Sequence, residues 1–179
     1  MYRDLIEACR KGSRTAQFRI YELYYKAMYN TALRIVNDPD DAEDVMQEAF
    51  LKAFQKLDTF LGEVSFGAWL KKIVINKSLD FIKLKKSTVS FEELELDLIL
   101  TTDTEGEQET EMIDKINADE IKKAIRDLPA GYRIVLSLYL LEGYDHEEIS
   151  SILNISEVSS RTQYHRAKKK LLELLKRKQ

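Results

Sequence analysis

Apolar residues recur at three- and four-residue spacing through most of the chain, interrupted by Gly, Pro, Ser, Asn and Asp. That period predicts amphipathic helices, each with one buried face. Residues 3–11 read as a short helix ending at Gly12. Ser13 can cap a second helix to about Asn37, with Phe18, Tyr21, Leu23, Tyr25, Met28, Tyr29, Ala32, Leu33 and Val36 at its apolar and aromatic positions. Helical spacing makes these tyrosines half-buried packing residues rather than base-stacking platforms. Asp38 can cap a third helix, and Pro39 suits its first position, where a missing N–H costs little. Ala42, Val45, Met46, Ala49, Phe50, Ala53, Phe54 and Leu57 form its apolar stripe. Asp58–Ser65, DTFLGEVS, is a loop with two exposed-looking apolar residues, Phe60 and Leu61. Ser65 can cap a fourth helix whose stripe is Phe66, Trp69, Leu70, Ile73, Val74 and Phe81.

From residue 87 to 116 the period fails. Leucines mix with acids, then a polar run follows, as in a linker that is flexible at least from Thr101 to Glu111. A second helical unit starts near Asn117. Ile121, Ala124, Ile125 and Leu128 give its first stripe, and Pro129 opens the next helix. That helix carries Ile134, Val135, Leu138, Tyr139 and Leu141 and ends at Gly143. Asp145 with Glu148 forms a capping box for a short helix bearing Ile149, Ile152 and Leu153. Asn154 can take the left-handed turn, and Ser156 can cap a last, basic helix with Tyr164, Ala167, Leu171 and Leu174 or Leu175 inward. Two short helices about a tight turn, the second one basic, predict a helix-turn-helix whose second helix enters a major groove. The expected fold is all-α: two small helical domains, 1–86 and 117–179, joined by an acidic flexible linker over 87–116.

The 179 residues are 44% hydrophobic and 33% charged, which fits one ordinary domain or two small helical ones. Apolar runs are too short to span a bilayer, and Met1–Gly12 lacks the apolar core of a signal peptide. Membrane insertion is not expected, and the cytoplasm is the expected compartment. A single cysteine, Cys9, excludes a disulfide framework and a Cys-based metal site. The net charge of −3 hides strong segregation. Residues 65–86 carry six Lys and one Asp, and residues 157–179 carry eight Lys or Arg and two Glu. Between them, residues 87–120 carry twelve Asp or Glu and one Lys. Such blocks concern partners rather than fold.

The third helix points its charge outward. Asp40, Asp41, Glu43, Asp44, Gln47, Glu48 and Leu51 share the face opposite its stripe, and no base falls at i+4 until Glu48–Lys52. A solvated acidic face is the commoner role of such a pattern. An unpaired acidic face around an apolar Leu51 also suits docking on a basic partner. Enzyme chemistry is not expected. The chain has two histidines, one cysteine, no phosphate-binding glycine loop and no paired carboxylates in an apolar site. Carboxylates along one helix face would not converge on a metal, so neither metal nor cofactor is expected.

DPDDAEDVMQEAFLKAF resembles the polymerase-binding helix of the extracytoplasmic-function group of sigma-70 factors. The resemblance implies that Asp40, Asp41, Asp44, Gln47, Glu48 and Leu51 grip the coiled coil of the largest subunit of core RNA polymerase. FLGEVSFGAWLKKIVINKSLDFIKLKK is similar to the segment that captures the opened −10 strand of promoter DNA. It implies a base-capturing loop over Phe60, Leu61, Ser65 and Phe66, and a strand-facing side at Lys71, Lys72, Asn76 and Lys77. Trp69 falls on the apolar stripe and belongs to the core. LPAGYRIVLSLYLLEGYDHEEISSILNISEVSSRTQYHRAKKKL resembles the −35-binding domain of the same family. The resemblance places Arg161, Thr162, His165 and Arg166 toward the −35 element. Ser156, Ser159 and Ser160 stand at the helix entrance, where hydroxyls and N–H groups can take phosphate. Val158-Ser159 replaces the usual Gly-Thr, Ser160 an apolar residue and Gln163 an Arg. The implied linker threads polymerase channels, and an anti-sigma factor is the implied inhibitor. The implied function is a sigma factor directing promoter-specific initiation. The alternative is a free-standing helix-turn-helix regulator whose N-terminal domain binds an effector or dimerises.

Overall fold

The computed structural model describes residues 2–85 and 118–177, which fall into two compact units on either side of Lys85. The linker expected over 87–116 lies outside the described residues. The described secondary structure is helical throughout, without strands.

The first unit comprises α1 (Tyr2–Arg10), α2 (Arg14–Val36), α3 (Pro39–Gln55), a 3₁₀ turn (Leu57–Thr59) and α4 (Phe66–Lys85). Its boundaries follow local chemistry. The Ser13 side chain accepts the Ala16 N–H. Asn37 takes the left-handed conformation at φ 63°, and its N–H closes α2 on the Leu33 carbonyl. The Asp38 carboxylate accepts the N–H groups of Asp40 and Asp41, both at 3.0 Å, with Pro39 first in the helix. The Ser65 hydroxyl accepts the Ala68 N–H at the start of α4.

Helices α2, α3 and α4 each pack on the other two. Ile20, Ala32, Ala42, Ala49, Leu70 and Val74 are fully buried where they meet. The alanines let the helix axes approach closely, and the larger side chains fill the space between them. Helix α4 buries a wider arc than its expected stripe: Ile75, Ser78, Leu79 and Ile82 are inside, while Trp69, Ile73 and Phe81 of that stripe are half-buried. A helix seated against two neighbours buries a wider arc than one apolar stripe. Ser78 is accommodated because its hydroxyl donates to the Val74 carbonyl at 2.8 Å. Phe60 differs from the sequence expectation. It is only 8% exposed, with its ring 5.4 Å from those of both Phe66 and Trp69. Three rings packed together bury more apolar area than a loop aromatic left in water. Leu61 stays outside, 78% exposed.

The second unit comprises α5 (Ala118–Arg126), α6 (Ala130–Leu136), a π-helical turn (Ser137–Leu141), α7 (His146–Leu153) and α8 (Glu157–Arg177). Helix α8 packs on α5, α6 and α7. Ala124, Ile125, Leu128, Leu136, Ala167, Leu171 and Leu175 form one core cluster. Asp145 and Glu148 make the reciprocal capping box, and Asn154 takes the left-handed turn at φ 56°. The Arg133 guanidinium is buried and donates to the Leu128 carbonyl at 3.1 Å, closing the turn before α6. Burial lowers its pKa from the ordinary arginine value.

Leu70→Ala should destabilise the first unit by about 2–5 kcal/mol, through lost transfer energy and a residual cavity. Leu61→Ala should stay within about 0.5 kcal/mol of wild type. Urea unfolding read from Trp69, the chain's one tryptophan, checks both.

Candidate docking and nucleic-acid interfaces

On α3 the cap and dipole fix the acidic first turn, and the buried stripe forces the remaining residues outward. Asp40, Asp44, Gln47 and Glu48 are exposed, and Leu51 is 63% exposed among them. This face is not unpaired, as spacing along α3 alone had indicated. The Lys77 ammonium donates to Glu48 at 2.8 Å, and Lys85 donates to Asp41. Gln47 donates to Glu43 at 3.2 Å. The bases come from α4, 29 and 44 positions away, so a search at i+4 could not find them. The Asp41 hydrogen bond raises the Lys85 pKa above the usual lysine value, opposed by desolvation and supported by the charges of Asp41 and Asp38. Such exposed pairs are weak and exchangeable. Asp40 and Asp44 lie toward the N-terminal end of the same face, where the helix dipole favours negative charge.

The segment after α3 separates into buried anchors and an exposed arc. Phe60 and Phe66, expected in the loop that meets a nucleic-acid strand, both have their rings in the core, and Phe66 is 4% exposed. Their apolar area is taken by each other, by Trp69 and, for Phe66, by Tyr24. The surface groups are Leu61 and Val64, with Ser65 exposed at the cap of α4. Along α4, Lys72 and Asn76 are exposed and Lys71 is half-buried. Lys77 is half-buried and held by Glu48. The basic side of α4 is thus joined by an ion pair to the acidic side of α3.

On α8 the cap is the Ser156 hydroxyl, which accepts the Ser159 N–H at 3.0 Å and shares a 2.7 Å hydrogen bond with the Ser159 hydroxyl. Arg161 is exposed and bonded to Glu157 one turn earlier. The Thr162 hydroxyl donates back to the Val158 carbonyl at 2.9 Å, and His165 is exposed. Arg166 is half-buried, and Val158 projects into solvent at the start of the helix. Ser160 departs from its expected place. It is fully buried, and its hydroxyl lies 2.9 Å from His146 Nδ1. The helix turns it toward α7, and a hydroxyl inside needs a partner there. Gln163 is also buried.

Sequence reasoning did not single out His146 as a functional or packing residue. Its ring stacks on Tyr139 at 4.7 Å and meets Tyr164 edge-on at 5.5 Å. It thereby joins the π-helical turn, α7 and α8 at the elbow of the helix-turn-helix. No local signal marks it, because its partners lie on other helices. Among the described residues no group of three or more His, Cys, Asp or Glu is placed to hold a metal ion, and no helix is long and apolar enough to cross a membrane.

Residues 20–88 match the family model of sigma-70 region 2, and residues 118–171 match that of sigma-70 region 4. The chain is 28% identical over 191 aligned residues to the ECF RNA polymerase sigma factor SigW of Bacillus subtilis, covering 98% of this chain and 97% of that one. It is 29% identical to the RNA polymerase sigma-H factor of Pseudomonas aeruginosa, covering 92% and 89%. Among solved structures, the sigma factor RpoE in complex with the anti-sigma factor NepR from Bartonella quintana aligns at a TM-score of 0.59 and 23% identity, over 88% of this chain and 95% of that one. CnrH in complex with the cytosolic domain of CnrY aligns at 0.58 and 23%, over 99% and 98%. These two likenesses concern the fold.

Burial lowers the His146 pKa from 6.5, reinforced by Arg161 and His165 and opposed by Glu157 and Asp145. The unfolded chain therefore binds this proton at a higher pH than the folded one. Stability rises with pH wherever the unfolded state holds more protons. The second unit should lose stability as pH falls below about 6.5, until the folded-state pKa is passed. His146→Gln should flatten that dependence. Urea unfolding followed at the Ile149 and Leu171 methyl resonances, between about pH 7 and about pH 5, reads the difference.

Proposed function

Because the chain belongs to the extracytoplasmic-function group of the sigma-70 family, we propose a specific division of labour among its surfaces. The protein is an RNA polymerase sigma factor, which directs promoter-specific transcription initiation. It acts as an initiation factor, and the bond-forming chemistry belongs to the polymerase. Its place of work is the cytoplasm.

In this reading Asp40, Asp41, Asp44, Gln47, Glu48 and Leu51 on α3 dock on the coiled coil of the largest polymerase subunit. The exposed leucine supplies apolar contact, and the carboxylates select a basic partner. Leu61 and Ser65 meet the opened −10 strand, with Phe60 and Phe66 as the buried anchors of that arc. Lys71, Lys72, Asn76 and Lys77 follow the strand backbone. Flipping a base costs a few kcal/mol, which apolar contact and a basic track can offset. On α8, Arg161, Thr162, His165 and Arg166 read the −35 duplex from the major groove, and Ser156 and Ser159 take phosphate at the helix entrance. Tethering both units to one polymerase raises their effective concentration on the promoter, so neither needs high affinity alone.

The observation that carries this reading is the charge arrangement. One unit presents an acidic face on α3 beside a basic face on α4, and the other presents a basic helix at a helix-turn-helix. An anti-sigma protein is the proposed inhibitor, because the aligned sigma factor RpoE was solved in complex with the anti-sigma factor NepR. The reading as a free-standing regulator is not favoured. Residues 20–88, which would have to bind an effector or dimerise, match sigma-70 region 2.

Reconstituted initiation with bacterial core polymerase tests the assignment. Asp44→Arg should weaken core binding roughly ten-fold or more, by setting like charge against a basic surface. Arg166→Ala should leave core binding unchanged and lower −35-dependent initiation by about ten-fold, the scale of one lost base contact. Tight specific binding of duplex by the chain alone, with no gain from core polymerase, would sink the reading.

A further inference from the structure

Arg10, the last residue of α1, reaches across the first unit to the segment that leads into the exposed arc. Its Nη2 donates to the Phe60 carbonyl at 2.6 Å. Nε and Nη2 also reach the Leu57 carbonyl at 3.4 and 3.5 Å, and Nη1 lies 3.5 Å from the Glu7 carboxylate. These two carbonyls bracket the 3₁₀ turn Leu57–Thr59, so a single guanidinium closes both ends of the turn. Only a planar fork with several donors can do so, whereas a lysine ammonium is a point charge.

Phe60 is therefore held twice. Its carbonyl is held by Arg10, and its ring is packed on Phe66 and Trp69. The next residue, Leu61, is the most exposed large apolar side chain among the described residues. Gly62 turns the chain at φ 80°, and Ser65 fixes the far end by capping α4. The arc is pinned at both ends and open between them. A strand-capturing arc gains from this, because ordering it before contact removes an entropic cost from binding.

We propose that Arg10 is a positioning residue for recognition of the opened −10 strand: its guanidinium, clamped on the Leu57 and Phe60 carbonyls, sets where Leu61 meets the displaced base. The proposal rests on the reading that the arc from Leu61 to Ser65 contacts that strand. Helix α1 has its own anchorage through buried Ile6 and Cys9, so loss of the guanidinium leaves the helix docked.

The test uses the full chain as wild type, Arg10→Ala, Arg10→Lys and Leu61→Ala, with two readouts. Hydrogen exchange of the amides from Leu57 to Ser65 reads the clamp without reference to function. Arg10→Ala should speed it roughly ten-fold, Arg10→Lys should restore only part of the protection, and Leu61→Ala should leave it unchanged. Binding of single-stranded oligonucleotides with correct or altered −10 bases, by each chain assembled with core polymerase, reads the consequence. Arg10→Ala and Leu61→Ala should each cut discrimination between bases several-fold, and the double variant should lose little more than either alone. Core affinity should not change. Unchanged exchange in Arg10→Ala would overturn the clamp. Faster exchange with full discrimination, while Leu61→Ala loses it, would overturn the positioning role and leave the strand-contact reading standing. Full discrimination in both variants would remove the strand-contact reading and the proposal with it.

Discussion

The first unit depends on the packing of α3 against α4. Each helix spends one side on a shared core, and what is left over has opposite charge on the two helices. Ala42, Ala49, Leu70 and Val74 are inside, with the acids of α3 and the lysines of α4 at the rim. Where the rims meet, Glu48 holds Lys77 and Asp41 holds Lys85. These pairs add little to stability at an exposed surface. Their importance is that two surfaces proposed for different partners share side chains. A basic partner on α3 competes with the lysines of α4, and a phosphate on α4 competes with the acids of α3. Because the pairs are weak, either competition costs little.

The second unit solves a different problem. The basic helix α8 presents short polar side chains and arginines outward while its other side packs on three helices. The elbow is closed by aromatic rings and one polar pair, a buried serine on a half-buried histidine. His146 sits against Tyr139 and Tyr164, and its Nδ1 reaches the Ser160 hydroxyl. A serine with no exposure is tolerable only with such a partner. The same burial that suits the neutral imidazole makes its protonation unfavourable.

Much of this architecture is legible along the chain because caps and periodicity are local. Asp38 before Pro39, Ser13 and Ser65 before their helices, Asn37 and Asn154 after theirs, and the Asp145–Glu148 box each act within four residues. The stripe of α3 is buried as its spacing predicts, because one register of an amphipathic helix satisfies it. The acidic and basic faces are also legible, since whatever a stripe does not bury must face out. Which loop residues are exposed is a different kind of question. Phe60 and Leu61 are adjacent and both apolar, and nothing in their neighbours says which one turns inward.

Sequence alone therefore determined the helices, their ends, the helix-turn-helix and the family, since these rest on contacts a few residues apart or on ordered motifs. Tertiary structure decided which side chains of those helices remain available. It placed Phe60 and Phe66 in a three-ring cluster and turned Ser160 toward His146. It also paired Glu48 with Lys77 and brought Arg10 to a carbonyl fifty positions away. Each of these depends on the distance between two helices. That distance is set by the whole core at once, and no window of sequence contains it.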